Sequence, residues 1–349
     1  IGRAFFIPWA PLFYKFYCYR FFLFSVVMLF MNHSLFTSQV RERLSQFDDF
    51  SNADSCRLFH GRGCCFPGYE QVTLDWFSPV LLLTLFKAVD EVWEQSLVAE
   101  LQTLLQTAVD DGVIAEQAIS AVLVQRRYLA DAPTEVLQGE LPEKVFARRG
   151  ELRFALKLGN NQNTGFFLDM EPGRQWLESV IAERSFLNLF SYTCAFSVIA
   201  QAAGASSVVN VDMSRGALSQ GRDNHRLNGL STDSVRFLGE NILKSWSRIR
   251  KPGPYDVAVI DPPSFQRGSF VAQKDYIKVL RRIPELMTPG ADILVCLNAP
   301  ELSEAFICEQ MQEACPSCQL VKRLEPHTDF PDVDPDQQLK LFHFRYVPE

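Results

Sequence analysis

Short apolar runs alternate with longer, helix-patterned segments through the second half of the chain. Five runs rich in β-branched residues predict strands: SFLNLF (185–190), ASSVVNVD (205–212), SVRFLGEN (234–241), YDVAVID (255–261) and ADILVCLN (291–298). Three intervening segments have helical spacing and predict helices over 196–204, 216–229 and 275–287. This alternation indicates an α/β domain over 161–349, built on a doubly wound, mostly parallel sheet.

The preceding segment, 56–160, has a different pattern and predicts a smaller N-terminal α+β domain. Apolar residues recur at three- and four-residue intervals over 92–109, which predicts a helix. ISAVLVQRRY (119–128) predicts a strand, and KVFARRGELRFALKL (144–158) alternates on either side of an Arg-Gly pair, as a β-hairpin does. Residues 31–55 are predicted to form a helical and loop lead-in to this domain.

Residues 1–30 are crowded with aromatic side chains and are left out of the fold prediction. The uncharged run Phe21–Met31 is shorter than the roughly 20 residues that a membrane-spanning helix requires. A basic stretch before a short apolar run resembles a signal peptide, but no clear small-residue cleavage site follows it. The favoured interpretation is that Met31 is the natural start, that 1–30 is a leader or non-native segment, and that no membrane is involved.

Composition and charge narrow the class of protein. With 47% apolar and 21% charged residues among 349, the chain is a globular protein and not a disordered one. A formal net charge of −7 gives no overall attraction to nucleic acid, so RNA binding would require a local basic face. Nine irregularly spaced cysteines indicate reduced thiols in a cytoplasmic protein. Cys315 and Cys318 form the only CxxC pair, and no metal site is predicted.

Polar residues follow three of the predicted strands, at the edge where a doubly wound sheet binds its ligand. These are Asp212 after the second strand, Glu240-Asn241 after the third and Asp261 after the fourth. Asp212 is placed to accept hydrogen bonds from both hydroxyls of a ribose, and Glu240-Asn241 to meet an adenine amino group. The alternatives are a helix N-cap at Asp212 and a polar turn at Glu240-Asn241.

The junction after the first strand, NLFSYTCAFSV (188–198), contains no glycine. A dinucleotide site would have a GxGxxG motif here, so that the backbone can approach a diphosphate. Ser191, Tyr192 and Thr193 instead offer hydroxyl and N–H groups at a helix N-terminus, where a carboxylate is favoured. The pattern therefore favours a smaller ligand that carries an adenosine and an amino-acid tail.

The fourth strand ends in Asp261-Pro262-Pro263-Ser264-Phe265. Proline fixes φ and donates no hydrogen bond, so the pair ends the strand and makes its exit rigid. A rigid exit would present the Asp261 carboxylate, a main-chain carbonyl and the Phe265 ring together to a flat polar ligand.

NLFSYT, VVNVD and YDVAVIDPPSF, in this order, resemble the motifs of class I S-adenosylmethionine-dependent methyltransferases, whose fold is Rossmann-like. TGFFLD (164–169) and VDMSRGAL (211–218) narrow the resemblance to the bacterial large-subunit rRNA methyltransferases, in the 5-methylcytosine and guanine-N7 branch. The resemblance covers roughly 145–346, and the small domain is similar to the family's central domain. The PUA domain of the 5-methylcytosine enzymes is not found in this sequence.

The resemblance implies a role for each matching residue. Asp261 and the Pro262 carbonyl would face the transferred methyl group, and Pro263 and Phe265 would complete the catalytic motif, with the ring stacked on the target base. S-adenosylmethionine, the implied cofactor, would be bound by Phe167, Asp169, Asn188, Phe190, Ser191, Tyr192, Thr193, Asp212, Met213, Glu240, Asn241 and Asp261. The substrate would be bound by Phe265, Arg267, Lys274 and Asn298. In-line transfer needs mainly positioning, so no metal is implied.

Two departures from the family pattern refine the prediction. The cytosine-C5 enzymes attack the base with a cysteine after the fifth strand, whereas VCLNAP (295–300) has Ala299 there, and Cys296 lies inside the predicted strand. Methylation of a nitrogen is therefore predicted, and Asn298 is similar to the guanine-N7 branch. Cys194-Ala195 replace the usual glycines, and their β-carbons are predicted to crowd the methionine end of the cofactor.

The implied partner is large-subunit rRNA, bound through a local basic face. Basic residues follow the Asp-Pro-Pro motif or lie in the small domain: Arg267, Lys274, Lys278, Arg281, Arg282, Arg148, Arg149, Arg57 and Arg62. The alternative is a solvated helix face without phosphate contacts. Two other functions stay open: methylation of a protein or small molecule, and a non-catalytic module that binds RNA or another partner.

Overall fold

The computed structural model describes residues 33–159, 162–266 and 268–349. These residues form a five-stranded sheet, a seven-stranded sheet and two short hairpins. The sequence predictions for residues 1–30, Met31 and Arg267 fall outside the described residues. Within the described ranges, no helix is both long and apolar enough to cross a membrane.

The five-stranded sheet forms the smaller, N-terminal part. Its elements are α1 (Ser34–Leu44), β1 (Cys56–His60), β2 (Val72–Phe77), β3 (Val80–Leu85), α2 (Glu91–Asp110), β4 (Ala121–Arg126) and β5 (Thr134–Gly139). The strands lie in chain order, and neighbours are antiparallel except β3 and β4, which are parallel and joined by the crossover helix α2. The predicted helix and strand of this segment are confirmed.

The two faces of the small sheet differ, because alternate residues of a strand point to opposite sides. One face is apolar: Leu74 and Leu83 pack with Leu97 and Leu101 of α2 in a buried cluster. The helix begins at a capped end, where the Asp90 carboxylate accepts a hydrogen bond from Val92 N–H at 2.9 Å. The other face carries polar side chains and is turned towards the seven-stranded sheet.

The predicted hairpin is confirmed as β6 (Phe146–Arg149) and β7 (Leu152–Ala155). It lies between the two sheets and contacts both parts. On one side Ser55 N–H donates to the Arg148 carbonyl at 2.9 Å. On the other, the Gln220 side-chain amide donates to the Ala155 carbonyl at 2.7 Å. The hairpin thus joins the small part to the large one.

The seven-stranded sheet is doubly wound. Its elements are α3 (Glu171–Val180), β8 (Ser185–Leu189), α4 (Ala195–Ala202), β9 (Ser207–Asp212), α5 (Arg215–Leu227), β10 (Val235–Gly239), α6 (Trp246–Arg250), β11 (Tyr255–Ile260), β12 (Phe265–Gln266), β13 (Phe270–Val271), α7 (Ala272–Leu280), α8 (Ile283–Leu286), β14 (Met287–Leu297), α9 (Glu304–Ala314), β15 (Cys318–Arg323) and β16 (Lys340–Tyr346). Strands β12 and β13 form a separate hairpin. The order is β10-β9-β8-β11-β14-β16-β15, and β16 alone of these seven strands runs opposite to the others.

This topology confirms the predicted α/β, Rossmann-like fold, and all five predicted strands are present. One predicted helix, 275–287, is divided in two, because Pro284 lies in the first turn of a new helix, α8, and Met287 already belongs to β14. The winding direction reverses between β8 and β11. In doubly wound sheets, ligands bind outside the carboxyl ends of the strands at such a point.

The two parts share a hydrophobic core. Phe77 and Leu82 of the small sheet belong to the same buried cluster as Phe154, Phe166 and Trp176. The segment 325–337, whose composition predicts a surface loop, joins the parts a second time. Its residue Asp329 pairs with Arg43 at 2.7 Å, and Val333 N–H donates to the Gly63 carbonyl at 2.9 Å.

Candidate active site

A cavity of about 660 Å³ opens at the carboxyl edge of the seven-stranded sheet, facing the small sheet. Its volume is within the range of small-molecule sites. It brings together twelve of the sequence-predicted residues: Phe167, Asp169, Phe190, Tyr192, Asp212, Met213, Asn241, Asp261, Pro262, Pro263, Phe265 and Asn298. Asn188, Ser191 and Thr193 line a small adjoining pocket, which shares Phe167, Phe190, Tyr192 and Asp261 with the cavity.

The loop between β8 and α4 has three residues in the left-handed backbone region. The φ angles are 60° at Phe190, 46° at Tyr192 and 62° at Cys194. This conformation costs a non-glycine residue about 1–2 kcal/mol, and such strain persists mainly at functional sites. The loop is fixed to the TGFFLD segment, because Thr193 Oγ1 donates to the Gly165 carbonyl at 2.7 Å.

The thiol of Cys194 packs against Gly221 of α5. The Cys194 side chain is fully buried, and a β-carbon at position 221 would lie 2.4 Å from its Sγ atom. Of the Cys194-Ala195 pair, only Ala195 is among the described residues that line the small pocket. Any crowding of a ligand there would therefore come from the Ala195 methyl group.

We expect Gly221→Ala to lower the free energy of unfolding by about 2 kcal/mol, because the added methyl group would overlap Cys194 Sγ. In a Cys194→Gly background the same substitution should be neutral or stabilising, since alanine favours a helix over glycine by about 1 kcal/mol. Urea unfolding of both single variants and the double variant measures this coupling. Additive effects would show that the thiol does not pack against Gly221.

Asp212 ends β9, and both its carboxylate oxygens accept main-chain hydrogen bonds. Oδ2 accepts from Tyr192 N–H at 2.9 Å and Oδ1 from Ser214 N–H at 2.7 Å. Ser214 caps the following helix, since its Oγ accepts from Ala217 N–H at 3.2 Å. Burial raises the pKa of Asp212. A carboxylate has about four lone-pair sites, so Asp212 keeps capacity on the cavity side for ribose hydroxyls.

The two residues that follow β10 have different surroundings. Asn241 lines the cavity beside Ile242. Glu240 is not among the described lining residues, because its carboxylate is turned to Ser245 Oγ, at 3.1 Å, and to the Arg248 guanidinium. Of the predicted pair, Asn241 is therefore the residue placed to contact an adenine ring.

Asp261 faces the cavity where the chain leaves β11, close to Asp169. Burial raises the pKa of Asp261 to about 7; the Asp169 charge adds to this rise and the Arg174 charge opposes it. Burial likewise raises the pKa of Asp169. A carboxyl group that titrates near neutral pH in a cavity is suited to accept a proton from a substrate.

The paired prolines lead into the hairpin β12–β13. Pro262 is buried, whereas the Phe265 ring, two residues after Pro263, is 67% exposed at the cavity rim. The hairpin holds this ring in position, because Phe265 pairs with Val271. An exposed ring at the rim offers a flat surface on which a nucleobase can stack.

Arg174 of α3 lines the small pocket beside Asn188 and was missed from the sequence. Its side chain is 2% exposed, donates to the Phe167 carbonyl and lies 3.9 Å from the centroid of the Phe166 ring. Burial lowers the pKa of Arg174 to about 10. Within the described part of the chain, Arg174 Nε has no hydrogen-bond partner. A buried cation with a free donor suits the carboxylate of an amino-acid tail.

The basic residues after the Asp-Pro-Pro motif contribute little to the cavity wall. Lys274 is exposed on α7 and is not one of the described lining residues. Lys278, Arg281 and Arg282 each form an ion pair at 2.7 Å, with Asp275, Glu313 and Glu285 respectively. These ion pairs favour the alternative in which the three side chains form a solvated helix face, and not a row of phosphate contacts.

The opposite wall of the cavity comes from the small sheet. A row of polar side chains crosses its strands: Thr73 of β2 pairs with Thr84 of β3, which pairs with Gln125 of β4. All three are at most 4% exposed and line the cavity. The sequence carries part of this signal, since VTLDWF places Thr73 and Asp75 at alternate positions and VLLLTL has one polar residue, Thr84, in an apolar strand. Arg57, noted in the sequence, also lines this wall.

A doubly wound sheet with carboxylates at the ends of its second and fourth strands, one of them in a rigid Asp-Pro-Pro exit, defines a nucleoside-binding α/β domain. The profile of the S-adenosylmethionine-dependent methyltransferases matches residues 56–345. The chain belongs to this family and is an S-adenosylmethionine-dependent methyltransferase.

Individual relatives agree with this assignment. Ribosomal RNA large subunit methyltransferase I of Aeromonas salmonicida is 29% identical over 273 residues, which are 76% of this chain and 67% of that protein. A SAM-dependent methyltransferase from Streptococcus mutans has a similar fold, with a TM-score of 0.75 and 22% identity over 90% of this chain and 81% of that one. A methyltransferase complexed with SAH has a TM-score of 0.74 and 21% identity, covering 92% and 81%.

The side chains present suit the three parts of S-adenosylmethionine. Asp212 would bind the ribose through its cavity-side lone pairs, and Asn241 would meet the adenine edge. Arg174, with its buried and unpartnered Nε in the described chain, would bind the carboxylate of the methionine part beside Asn188. Asn188, Asp212 and Asn241 lie at or just after the carboxyl ends of β8, β9 and β10, and Arg174 faces Asn188 across the small pocket that adjoins the cavity.

Proposed function

We propose that this methyltransferase transfers the methyl group of S-adenosylmethionine to a nitrogen atom of a base in large-subunit rRNA. The observation that carries the proposal is the combination of Asp261, whose pKa is raised to about 7, with the exposed Phe265 ring on the same cavity. Phe265 would stack on the base, while Asp261 and the Pro262 carbonyl would accept hydrogen bonds from an N–H group of the base; the acceptor would therefore be a nitrogen that carries hydrogen, unlike guanine N7.

When bound, the cofactor would supply an activated methyl group carried on a positively charged sulfur, so that transfer would leave a neutral thioether. Asp261 would accept the proton that the nitrogen loses. The rigid Pro262-Pro263 exit would keep the acceptors and the Phe265 ring in place, so that little reorganisation is needed during transfer. Phe167 and Asp169, on the facing loop, would close the cavity over the reacting atoms.

The surroundings of Cys296 support nitrogen over carbon as the acceptor. Its side chain is fully buried, and burial raises the pKa of this thiol well above its ordinary value. A covalent attack on a cytosine needs an accessible thiolate. Asn298, which follows the strand, lines the cavity instead and would contact the substrate base.

The rRNA substrate is supported by relatives that are named ribosomal RNA large subunit methyltransferases, at 28–29% identity. In this proposal 161–349 is the catalytic domain and 56–160 the substrate-side domain. A protein or small-molecule acceptor is the second candidate, favoured by the net charge of −7 and by the ion pairs of α7.

The proposal is tested by incubating the purified chain with tritiated S-adenosylmethionine and three acceptors in turn. These are an unmodified transcript of bacterial large-subunit rRNA, total bacterial protein and a small-molecule extract. Label in the transcript, lost in Asp261→Asn, supports the proposal. Label only in the protein or small-molecule fraction would overturn the rRNA substrate. A chain that binds the cofactor but labels nothing would be the non-catalytic module.

A further inference from the structure

Two arginines in the small-domain wall of the cavity have no carboxylate within ion-pair distance among the residues that the structure describes. The guanidinium carbons of Arg62 and Arg127 lie 4.2 Å and 5.0 Å from the centroid of the Phe86 ring. Neither arginine forms an ion pair with any residue that the structure describes, and Arg127 donates only to the neutral Asn163 side chain, at 3.3 Å.

A third arginine, Arg57, lines the same wall but is neutralised. Its Nε atom lies 2.7 Å from Asp75 Oδ1, and its Nη2 atom lies 3.1 Å from Asp75 Oδ2. Its Nη1 atom donates to His60 Nδ1 at 2.9 Å; burial, then the charges of Arg57 and Arg62, lower the pKa of His60 to about 3. The excess positive charge of the wall therefore resides on Arg62 and Arg127.

The two free guanidinium groups are held together against their repulsion. Burial and the Arg57 charge lower the pKa of Arg62, and the Asp169 charge acts in the opposite sense. Burial, then the charges of Arg62 and Arg57, lower the pKa of Arg127. Guanidinium groups stay protonated in proteins, so the repulsion persists until an anion binds to both.

The backbone around Arg62 is fixed before any ligand binds. A β-carbon at Gly61 would lie 1.8 Å from the Tyr69 carbonyl oxygen, and one at Gly63 would lie 1.8 Å from the Pro331 carbonyl oxygen. Only glycine allows the chain to pass so close on both sides. The cavity walls partly desolvate the Arg62 guanidinium, but the side chain remains accessible from the cavity.

We propose that Arg62 and Arg127 together bind a phosphate of the RNA strand, next to the nucleotide whose base stacks on Phe265. This inference rests on the proposed function. The two arginines and Phe265 line opposite walls of one cavity, so a nucleotide with its base at Phe265 would direct its backbone towards the small sheet. The planar fork of arginine matches the oxygens of a phosphate. Thr73 Oγ1, buried and unpartnered among the described residues, is a further donor on this wall.

The test compares Arg62→Ala/Arg127→Ala with the wild type, using a fluorescein-labelled, unmodified transcript of large-subunit rRNA. We expect affinity for the transcript to fall at least about tenfold, and the slope of log affinity against log salt to decrease by about 1. The KM for the transcript should rise by a similar factor, with kcat and the Kd for S-adenosylmethionine nearly unchanged. Arg62→Lys/Arg127→Lys, which keeps both charges, should retain the salt slope.

The matched control is Arg226→Ala/Arg250→Ala, which removes two exposed, ion-paired arginines and should leave RNA binding unchanged. Equal RNA affinity and salt slope in wild type and Arg62→Ala/Arg127→Ala would overturn the inference. A parallel loss of S-adenosylmethionine binding would also overturn it, because the two arginines would then bind the carboxylate of the cofactor and not an RNA phosphate. Loss of inorganic phosphate binding without loss of RNA binding would indicate a site for free phosphate only, and would overturn it too.

Separate results would contradict the proposed function and the phosphate site. If the wild type binds the transcript through these arginines but labels no RNA, the proposed function fails and the phosphate site stands. If the wild type methylates the transcript and Arg62→Ala/Arg127→Ala does so with unchanged KM, the phosphate site fails and the proposed function stands.

Discussion

Asp261→Asn is expected to lower kcat by about 10²–10⁴-fold, the range that a positioned general base contributes. The amide keeps the shape of the carboxyl group but cannot take the proton of the target nitrogen. In the wild type, log kcat/KM should rise with pH and level off above about 7, because burial raises the pKa of Asp261 to about 7. Single-turnover assays across pH 5–9 check both points; a variant that retains this pH profile would contradict the role of Asp261.

The same substitution should stabilise the fold above neutral pH. Because the folded state holds the Asp261 proton more tightly than the unfolded chain, wild-type stability falls as pH rises from about 4 to about 7. A three-unit shift corresponds to at most about 4 kcal/mol, and contact with cavity water reduces the expected gain in unfolding free energy to about 1–2 kcal/mol at pH 8. The gain should shrink as pH is lowered towards 4.

Asp256, at the other end of β11, provides the control. Burial opposes the shift, but hydrogen bonds from Ser185 and Thr288 and the Arg184 charge lower the pKa of Asp256. Its stabilising effect is therefore present at neutral pH and lost as pH falls. Asp256→Asn should destabilise the protein by about 1–2 kcal/mol and leave kcat unaffected, which is the reverse of the Asp261→Asn result.

Asp212→Ala is expected to raise the Kd for S-adenosylmethionine by about 100-fold or more. Two charge-assisted hydrogen bonds to the ribose are lost, each worth about 1.5–3 kcal/mol. The loop also loses the support that Asp212 gives to Tyr192 N–H and Ser214 N–H. Isothermal titration calorimetry, at a temperature where circular dichroism shows the variant folded, measures the effect.

The control for this variant is Asp233→Ala, an exposed carboxylate at the opposite end of the neighbouring strand. It should bind the cofactor as the wild type does. If Asp212→Ala were to bind the cofactor with wild-type affinity while folded, Asp212 would not hold the ribose, and the cofactor would lie elsewhere in the cavity.

Much of the domain 161–349 could be predicted, because the residues that define its strands and strand ends are neighbours in the sequence. Strands alternating with helices predict a doubly wound topology, and in such a sheet the parallel strands all end at the same edge. Asp212 and Asp261 therefore had to lie near each other once their strands were recognised. The Asp-Pro-Pro exit was predictable for the same reason, since proline acts on its own residue and its nearest neighbours.

What was missed depends on contacts between distant segments. Glu240 turns away from the cavity because Arg248, one helix further on, is close enough to pair with it. Arg174 reaches the small pocket because α3 packs against α4, where Trp176 and Phe196 belong to one buried cluster, and no local pattern distinguishes it from a surface arginine. For the small sheet, Thr73 and Thr84 share a face because their two strands pair in that register, and neither the register nor the face that meets the second domain can be read from one strand.

The most direct test of the central claim is the identity of the methylated atom. Large-subunit rRNA transcript methylated by the purified chain would be digested to nucleosides and analysed by mass spectrometry against synthetic standards. The account predicts a base methylated on nitrogen, absent from the Asp261→Asn reaction. A product of 5-methylcytosine, or of ribose methylation, would contradict it, because neither reaction uses an acceptor carboxyl and a stacking ring in the way that Asp261 and Phe265 are arranged.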